Sequence, residues 1–319
     1  MQKYNLPEVK ESAVEYSIII PVYKSAAFLH QLYLRLVEVM ETISLRFEII
    51  FVEDCGDDGS WEIIAKISQS DIRVKGFQLS RNFGQHNALL CGIRAAQGGI
   101  IITLDDDLQH PPEEIPKLLH KLSEGFDVVY GAPQKEQHGF LRDIASQITK
   151  MVLQGAMGVN IARKVSAFRA FRAHLRTAFS NYHGVFVSID VLLTWGTKRF
   201  AAISVEHNSR RIGQSNYTLG KLITHAFNMM TGFSVLPLQF ASLIGFVFTF
   251  FGLVVLVYVL INYFIGSQRV QGFPFLASII AIFSGAQLFA LGIIGEYLAR
   301  MHFRVMDKPP YVIRSYTEG

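Results

Sequence analysis

The sequence predicts a mixed α/β domain built on a mostly parallel sheet, followed by a membrane-crossing helical hairpin. Three observations predict it. In the N-terminal part, short β-branched or aromatic runs alternate with helix-like segments, the pattern of strands joined by helical crossovers. No charged side chain occurs from Val235 to Gln268, and none from Val270 to Gly295, the two runs being separated by Arg269. Each N-terminal apolar run also ends in polar, reactive residues, and open parallel sheets bind ligands at the carboxyl ends of their strands.

The strands read in order as "YSIIIPVY" from Tyr16, "FEIIFVED" from Phe47, "VKGFQLS" from Val74, "GIIITLDD" from Gly99 and "FDVVYG" from Phe126. Unbroken apolar runs of this kind suit strands covered on both faces. Between them, Ala26 to Met40 and Glu62 to Gln69 carry helical spacing. The chain has 319 residues, half of them apolar, and the excess lies in the two charge-free runs. A bilayer core of roughly 30 Å takes about 20 helical residues, so each run is long enough to span. Buried core helices rarely stay charge-free beyond about 14 residues, which disfavours the soluble alternative. Gly245, Gly252, Gly285 and Gly292 recur inside the runs and would let two helices approach closely.

Met1 to Glu15 is polar and acidic, unlike a signal sequence, so the N-terminal part is expected to stay in the cytoplasm. Lys221 precedes the first span, and Arg300, Arg304, Lys308 and Arg314 follow the second, against Arg269 alone between them. By the positive-inside rule both termini are expected on the cytoplasmic side of the inner membrane. Cys55 and Cys91 propose no disulfide framework. The net charge of +4 suits an anionic membrane surface and is too small to argue for nucleic acid.

The chemistry concentrates in "TLDDDLQHPPEE", from Thr103 to Glu114. Three adjacent carboxylates repel one another unless a cation sits among them. A divalent metal, Mg²⁺ or Mn²⁺, is the natural candidate, since hard cations take carboxylate and phosphate oxygens together. Asp105 and Asp107 stand two apart, so one can face the metal and the other a sugar or ribose. Tyr23, Glu53, Asp54 and Arg81 end the other strands. No GxGxxG or GxxxxGK follows the first strand, which argues against a dinucleotide or P-loop site, and no HxxxH or CxxC spacing proposes zinc.

"LDDDLQHPPEE", "SRNFGQHNAL" and "PVYK" together resemble family 2 glycosyltransferases of the GT-A fold, in particular the polyprenyl-phosphate sugar transferases. The resemblance covers nearly the whole chain, including the ending "GIIGEYLARMHFRV". It implies a GT-A, Rossmann-like nucleotide-sugar domain over residues 1–214, a juxtamembrane amphipathic helix over 215–234, two transmembrane helices over 235–298 and a cytoplasmic tail over 299–319. It implies a nucleotide-sugar donor, a UDP-sugar, a polyprenyl phosphate acceptor such as undecaprenyl phosphate, and a homo-oligomer, a tetramer. By position it makes Asp105 and Asp107 the DxD carboxylates. Asp107 and Gln109 would hold the metal with Asp105, which also lies nearer the nucleotide together with Asp106. Pro21, Tyr23, Glu53 and Asp54 would line the nucleoside pocket with Arg81 beside it; the competing reading of Glu53 and Asp54 is a solvated turn, with Asp58 or Ser60 as a helix cap.

"HNSRRIGQSNY", from His207 to Tyr217, is similar to the family's phosphate-handling RxxGxSKY block, matching at Arg210, Gly213, Ser215 and Tyr217. Asn216 stands where the family has lysine, and Arg211 is placed to compensate. The competing reading is a basic loop meeting lipid headgroups. In the relatives an aspartate assigned as catalytic base precedes the FRxxxR-like segment, and here Arg163 and Lys164 occupy that region. A phosphate monoester, with a second pKa of about 6, attacks as its dianion and needs no base, and Arg163 and Lys164 could bind it. The resemblance thus implies a membrane-anchored, inverting transferase with Asp105, Asp107 and Arg210 in catalytic roles. Two rival readings are a processive polysaccharide synthase, whose QxxRW motif neither Trp61 nor Trp195 supplies, and a non-catalytic membrane scaffold. Two amphipathic stretches, from Phe140 and from Tyr217, are expected at the membrane surface or packed on the sheet.

Overall fold

The computed structural model describes residues 13–133, 164–184, 186–207, 236–265 and 272–318. They fall into two units. The first gathers the N-terminal part with the last residues of the chain, from Lys308; the second is the helical hairpin.

The first unit is an eight-stranded mixed sheet. Its strands are β1 (Tyr16–Val22), β2 (Phe47–Glu53), β3 (Val74–Leu79), β4 (Ile100–Thr103), β5 (Val128–Pro133), β6 (Arg169–Arg172), β7 (Phe200–Val205) and β8 (Ile313–Glu318), in the order β7-β5-β6-β4-β1-β2-β3-β8. β4, β1, β2 and β3 run parallel, as their unbroken apolar runs require. Ile18, Ile19 and Ile20 are fully buried, covered on one face by α1 (Ala26–Ile43), whose Leu29, Leu32, Leu36 and Met40 recur at helical spacing. Burying each such side chain contributes roughly 1.5–3 kcal/mol, an upper estimate. The other face takes α3 (Gln85–Ala95), which lays Gly92 directly on Ile19. The remaining helices are α2 (Ser60–Ser70), α4 (Ile115–Ser123) and the short α5 (Ile189–Thr194).

The helix starts bind the strand-end loops together. Gly59, in the left-handed region at φ 86°, occupies the cap position of α2, while the neighbouring Asp58 carboxylate accepts from the Ser60 amide and hydroxyl. The same carboxylate accepts from the Ala26 amide at 3.0 Å, so Asp58 serves two helices at once.

The last residues were expected as a tail from residue 299. Instead, helix continues to Val305, and Ile313–Glu318 add an antiparallel strand to the edge of β3, with Ser80 N–H donating to Val312 O at 2.9 Å. The register fixes a direction. β4 and β5 both run antiparallel to β6, and β7 is parallel to β5, so β7 ends at the same pole as β1 to β4. β8 begins there too, because it is antiparallel to β3. β7 therefore ends, and β8 begins, at the pole where the acidic cluster lies.

The second unit pairs α6 (Leu236–Ile265) with α7 (Phe273–Val305), 30 and 33 residues long. Both are long and apolar enough to cross a membrane, over Pro237–Val255 and Ile282–Phe303. Phe246, Phe250, Leu288 and Leu291 are more than half exposed, an apolar surface on all sides that suits lipid and not water. Of the five glycines in these two helices, Gly252 alone meets the facing helix closely: a Cβ there would stand 3.1 Å from the Phe283 ring, whereas Gly245, Gly285, Gly292 and Gly295 face open space.

In β3, Gly76 has no room for a side chain, since a Cβ would come within 2.5 Å of Ile64 on α2 and 2.8 Å of Thr317 on β8. Gly76→Val should destabilise the protein by about 1–3 kcal/mol, read as a lowered thermal midpoint in detergent. An unchanged midpoint would contradict the close packing of α2 and β8 over β3.

Candidate active site

The four parallel strands end in loops that turn back sharply. Each loop holds one or more residues with φ in the left-handed region: Lys24 after β1, Cys55 and Asp57 after β2, Gly84 after β3 and Leu108 after β4. Non-glycine residues rarely adopt that region, and clusters of them mark sites whose surroundings over-determine the backbone. The loops enclose a cavity of about 300 Å³. Pro21, Val22 and Tyr23 line one wall; Asp54, Asn82, Gly84 and Gln85 line another; Asp105, Asp106 and Asp107 close it.

The three adjacent carboxylates settle their repulsion by taking different donors. Asp106 turns inward and bridges to the end of β1, its Oδ2 accepting the Tyr23 amide at 3.0 Å and the Ser25 hydroxyl at 2.5 Å. Burial pushes its carboxyl up to about 6, with the Ser25 and Tyr23 donors pulling the other way. Asp105 accepts from the Gln85 side-chain amide at 2.6 Å. Asp107 accepts from the Gln109 amide at 3.1 Å, the two-residue span of an Asx turn, which lets Leu108 turn left-handed and bury its side chain. Asp105 and Asp107 thus line the cavity while Asp106 fastens its floor.

Asp54 is buried and organises the third loop, its two oxygens accepting the amides of Phe83 and Gly84 at 2.7 and 2.8 Å. Burial raises its carboxyl above the ordinary range, against the two amides that lower it. Gly84 adopts φ 94° at the cap of α3, where a side chain would be strained. His110, three residues beyond Asp107, is buried, stacked on Phe168 at 5.4 Å and edge-on to His207 at 5.0 Å. Burial, then His207, hold it down to about 4, so it is neutral at physiological pH. His207 opens the basic block, whose root therefore lies beside the acidic loop.

The expected site residues divide. Pro21, Tyr23, Asp54, Asp105, Asp106 and Asp107 come together at the cavity. Glu53 does not line it: the side chain is buried and folds onto its own turn, accepting the Gly56 amide at 2.5 Å. Arg81 is exposed and lies over the Phe83 ring at 4.5 Å, outside the lining. Gln109 is half-buried and also outside it, bound to Asp107 through its backbone. Lys164 is exposed; Arg163, Arg210, Arg211 and Ser215 lie outside the described residues, as do both amphipathic stretches. Sequence reasoning missed Asn82, Gly84 and Gln85, which stand inside the quoted "SRNFGQHNAL", and gave His110 no role. His86 accepts the Ile189 amide at Nδ1 (3.4 Å) and so ties α3 to α5.

Among the described residues no group of three or more His, Cys, Asp or Glu side chains is placed to hold a metal ion unaided. Asp105 and Asp107 supply two hard oxygen donors at one cavity, a partial set that suits Mg²⁺ or Mn²⁺ completed by phosphate oxygens and water.

Asp106→Ala would strip the acceptor from the Tyr23 amide and the Ser25 hydroxyl. It should cost about 1–3 kcal/mol of stability, with Asp106→Asn intermediate because it keeps one acceptor oxygen; thermal unfolding of the metal-free protein checks this. An alanine variant as stable as the parent would show that the bridge does not hold the loops.

The family model described as glycosyl transferase family 2 matches residues 17–183. An undecaprenyl-phosphate 4-deoxy-4-formamido-L-arabinose transferase of Shewanella sediminis (strain HAW-EB3) is 34% identical over 306 residues, covering 95% of this chain and 92% of that one. The protein of the same name from Yersinia pestis (strain Pestoides F) is 33% identical over 309 residues, covering 96% and 94%. In fold, the first unit is similar to glucosyl-3-phosphoglycerate synthase of Mycobacterium tuberculosis, solved with Mn²⁺, UDP and phosphoglyceric acid, at a TM-score of 0.50 and 17% identity over 68% of this chain and 76% of that one. The chain belongs to glycosyl transferase family 2, an enzyme with a GT-A-like fold and two apolar C-terminal helices.

Proposed function

We propose that this enzyme moves a sugar from a nucleotide donor, a UDP-sugar, to a polyprenyl phosphate at the inner membrane and releases the nucleoside diphosphate. The observation that carries the reading is the acidic trio lining a cavity between strand ends, with Asp106 also bonded to the Tyr23 amide and the Ser25 hydroxyl. Relatives named as undecaprenyl-phosphate sugar transferases, aligned over almost the entire chain, support the acceptor class.

In this reading Pro21, Val22 and Tyr23 form the wall for the nucleoside, and Asp54 acts at one remove by fixing the Phe83–Gly84 turn. Gln85 orients Asp105 toward the diphosphate. Asp105 and Asp107, with Gln109, would hold Mg²⁺ or Mn²⁺, which when bound offsets charge on the departing diphosphate. The reaction is a single displacement with inversion. A phosphate oxygen of the lipid forms the new bond to the anomeric carbon as the bond to the diphosphate breaks. The dianionic acceptor has no proton to lose, so the step proceeds without the aspartate that Arg163 and Lys164 replace. Arg210, Arg211 and Ser215 are the proposed acceptor-phosphate contacts, joined by Arg163 and Lys164, since the arginine fork suits phosphate oxygens. The start of their block beside His110 supports that placement.

Chain order supports an even number of crossings. β7 precedes the hairpin and β8 follows it, and both strands belong to one sheet. A return to the same sheet needs an even number of crossings, so both termini lie on one side, which the positive residues make cytoplasmic. Single cysteines introduced at Ser267 and at Thr317, in a Cys55→Ser/Cys91→Ala background, test this. In intact cells an impermeant maleimide should label the first and spare the second; labelling of both or neither would contradict two crossings.

Purified protein incubated with undecaprenyl phosphate, a metal and a panel of labelled nucleotide sugars should place label in the organic phase, and Asp107→Asn should lower turnover by roughly a hundredfold or more. Label confined to water-soluble polymer would favour a processive synthase. Transfer from no donor, or full activity in Asp107→Asn, would sink the reading.

A further inference from the structure

At the end of β4, two residues before Asp105, Thr103 meets a buried ionic group that the transfer step does not use. Arg169, on β6, is 1% exposed, and Asp190, in the first turn of α5, is 6% exposed. Their side chains form an ion pair. Arg169 Nε also donates to the Thr103 hydroxyl at 3.1 Å, and the fully buried Tyr130 of β5 donates its hydroxyl to Asp190 at 3.0 Å. Four elements, β4, β5, β6 and α5, meet in this group.

Its position relative to the site is specific. Thr103 is the last residue of β4, paired in register with Arg169 and two residues before Asp105. On the far side, Ile189, next to Asp190, donates its amide to His86, and His86 follows Gln85, whose side chain binds Asp105. The contacts close a circuit. It leaves Asp105 along the backbone to Thr103, crosses Arg169 and Asp190, passes Ile189 and His86, and returns through Gln85 to the Asp105 carboxylate.

Two charges buried at an apolar layer are a weak source of stability, because the cost of removing them from water offsets their attraction; well-packed apolar residues often serve as well or better. What an apolar pair cannot do is fix orientation. The planar guanidinium addresses Thr103 on one side and Asp190 on another at set angles, where a lysine would reach one partner only. We infer that Arg169 and Asp190, with Tyr130, are positioning residues that set where Asp105 stands in the donor cavity, acting through Thr103 on one side and α5, His86 and Gln85 on the other. The inference rests on the donor-site reading above.

The double variant Arg169→Met/Asp190→Leu replaces the ion pair with apolar side chains, and the test compares full-length protein in detergent. Expected are a thermal midpoint close to the parent's, a kcat lowered between about ten- and a hundredfold, and weaker Mn²⁺-dependent UDP binding by calorimetry. Arg169→Lys should recover less of the rate than of the folding. A double variant with parental kcat and UDP affinity would overturn the inference. If that variant does not fold, Tyr130→Phe decides: it removes one hydroxyl, and lowered kcat at an unchanged midpoint supports the inference while unchanged kcat overturns it. Parent protein that fails to bind UDP with Mn²⁺ overturns the donor-site reading and this inference together; parent binding matched by equal binding and turnover in the folded variant overturns this inference alone.

Discussion

Everything at the site depends on how three consecutive carboxylates share one strand end. Like charges at adjacent positions repel unless each meets a different environment. The fold supplies three. Asp106 is drawn inward by the amide of Tyr23 and the hydroxyl of Ser25, which also lashes the end of β4 to the start of α1. Asp107 caps its own turn through Gln109, and Asp105 is held by Gln85 from across the cavity. All three carboxylates line the cavity, and the middle one is also committed to joining β1 and β4.

The surrounding architecture serves that division. Parallel strands bring four loops to one pole, and left-handed residues in each loop bend them tightly enough to wall a small cavity. Asp58 and Asp54 carry this further, one receiving the first turns of two helices and the other the amides of the loop after β3. The loops are cross-linked by carboxylates bound to backbone amides, a rigid arrangement in which little reorganisation is left for the moment of reaction. β7 ends and β8 begins at this same pole of the sheet.

Much of this was legible in the residues. The apolar runs marked β1 to β5, helical spacing marked α1 and α2, and two charge-free stretches marked the hairpin, because each signal is local and strong. β8 was not legible. "IRSYTE" is polar and short, and its strand state comes from the exposed edge of β3, a partner more than two hundred residues away in sequence. The same holds for β6, where a fully buried arginine contradicts any reading by hydropathy and is explained by Asp190 and Thr103. At the site, residue type directed attention to Asp54 and the acidic trio, which line the cavity, but could not say that Glu53 would fold onto Gly56, or Arg81 onto Phe83. Those outcomes are set by loop geometry, which composition does not encode. Gln85 and His86 were in plain view within "RNFGQH", yet their partners are Asp105 and Ile189, known only once the chain has folded.

The central claim is that Asp105 and Asp107 hold a divalent ion against the donor's diphosphate while Asp106 stays with Tyr23 and Ser25. An experimental structure with Mn²⁺ and UDP, the metal located by its anomalous scattering, tests it most directly. The account predicts manganese shared between Asp105, Asp107 and the diphosphate, with the Asp106 contacts intact. Manganese bound elsewhere, or a diphosphate lodged away from the acidic loop, would contradict it.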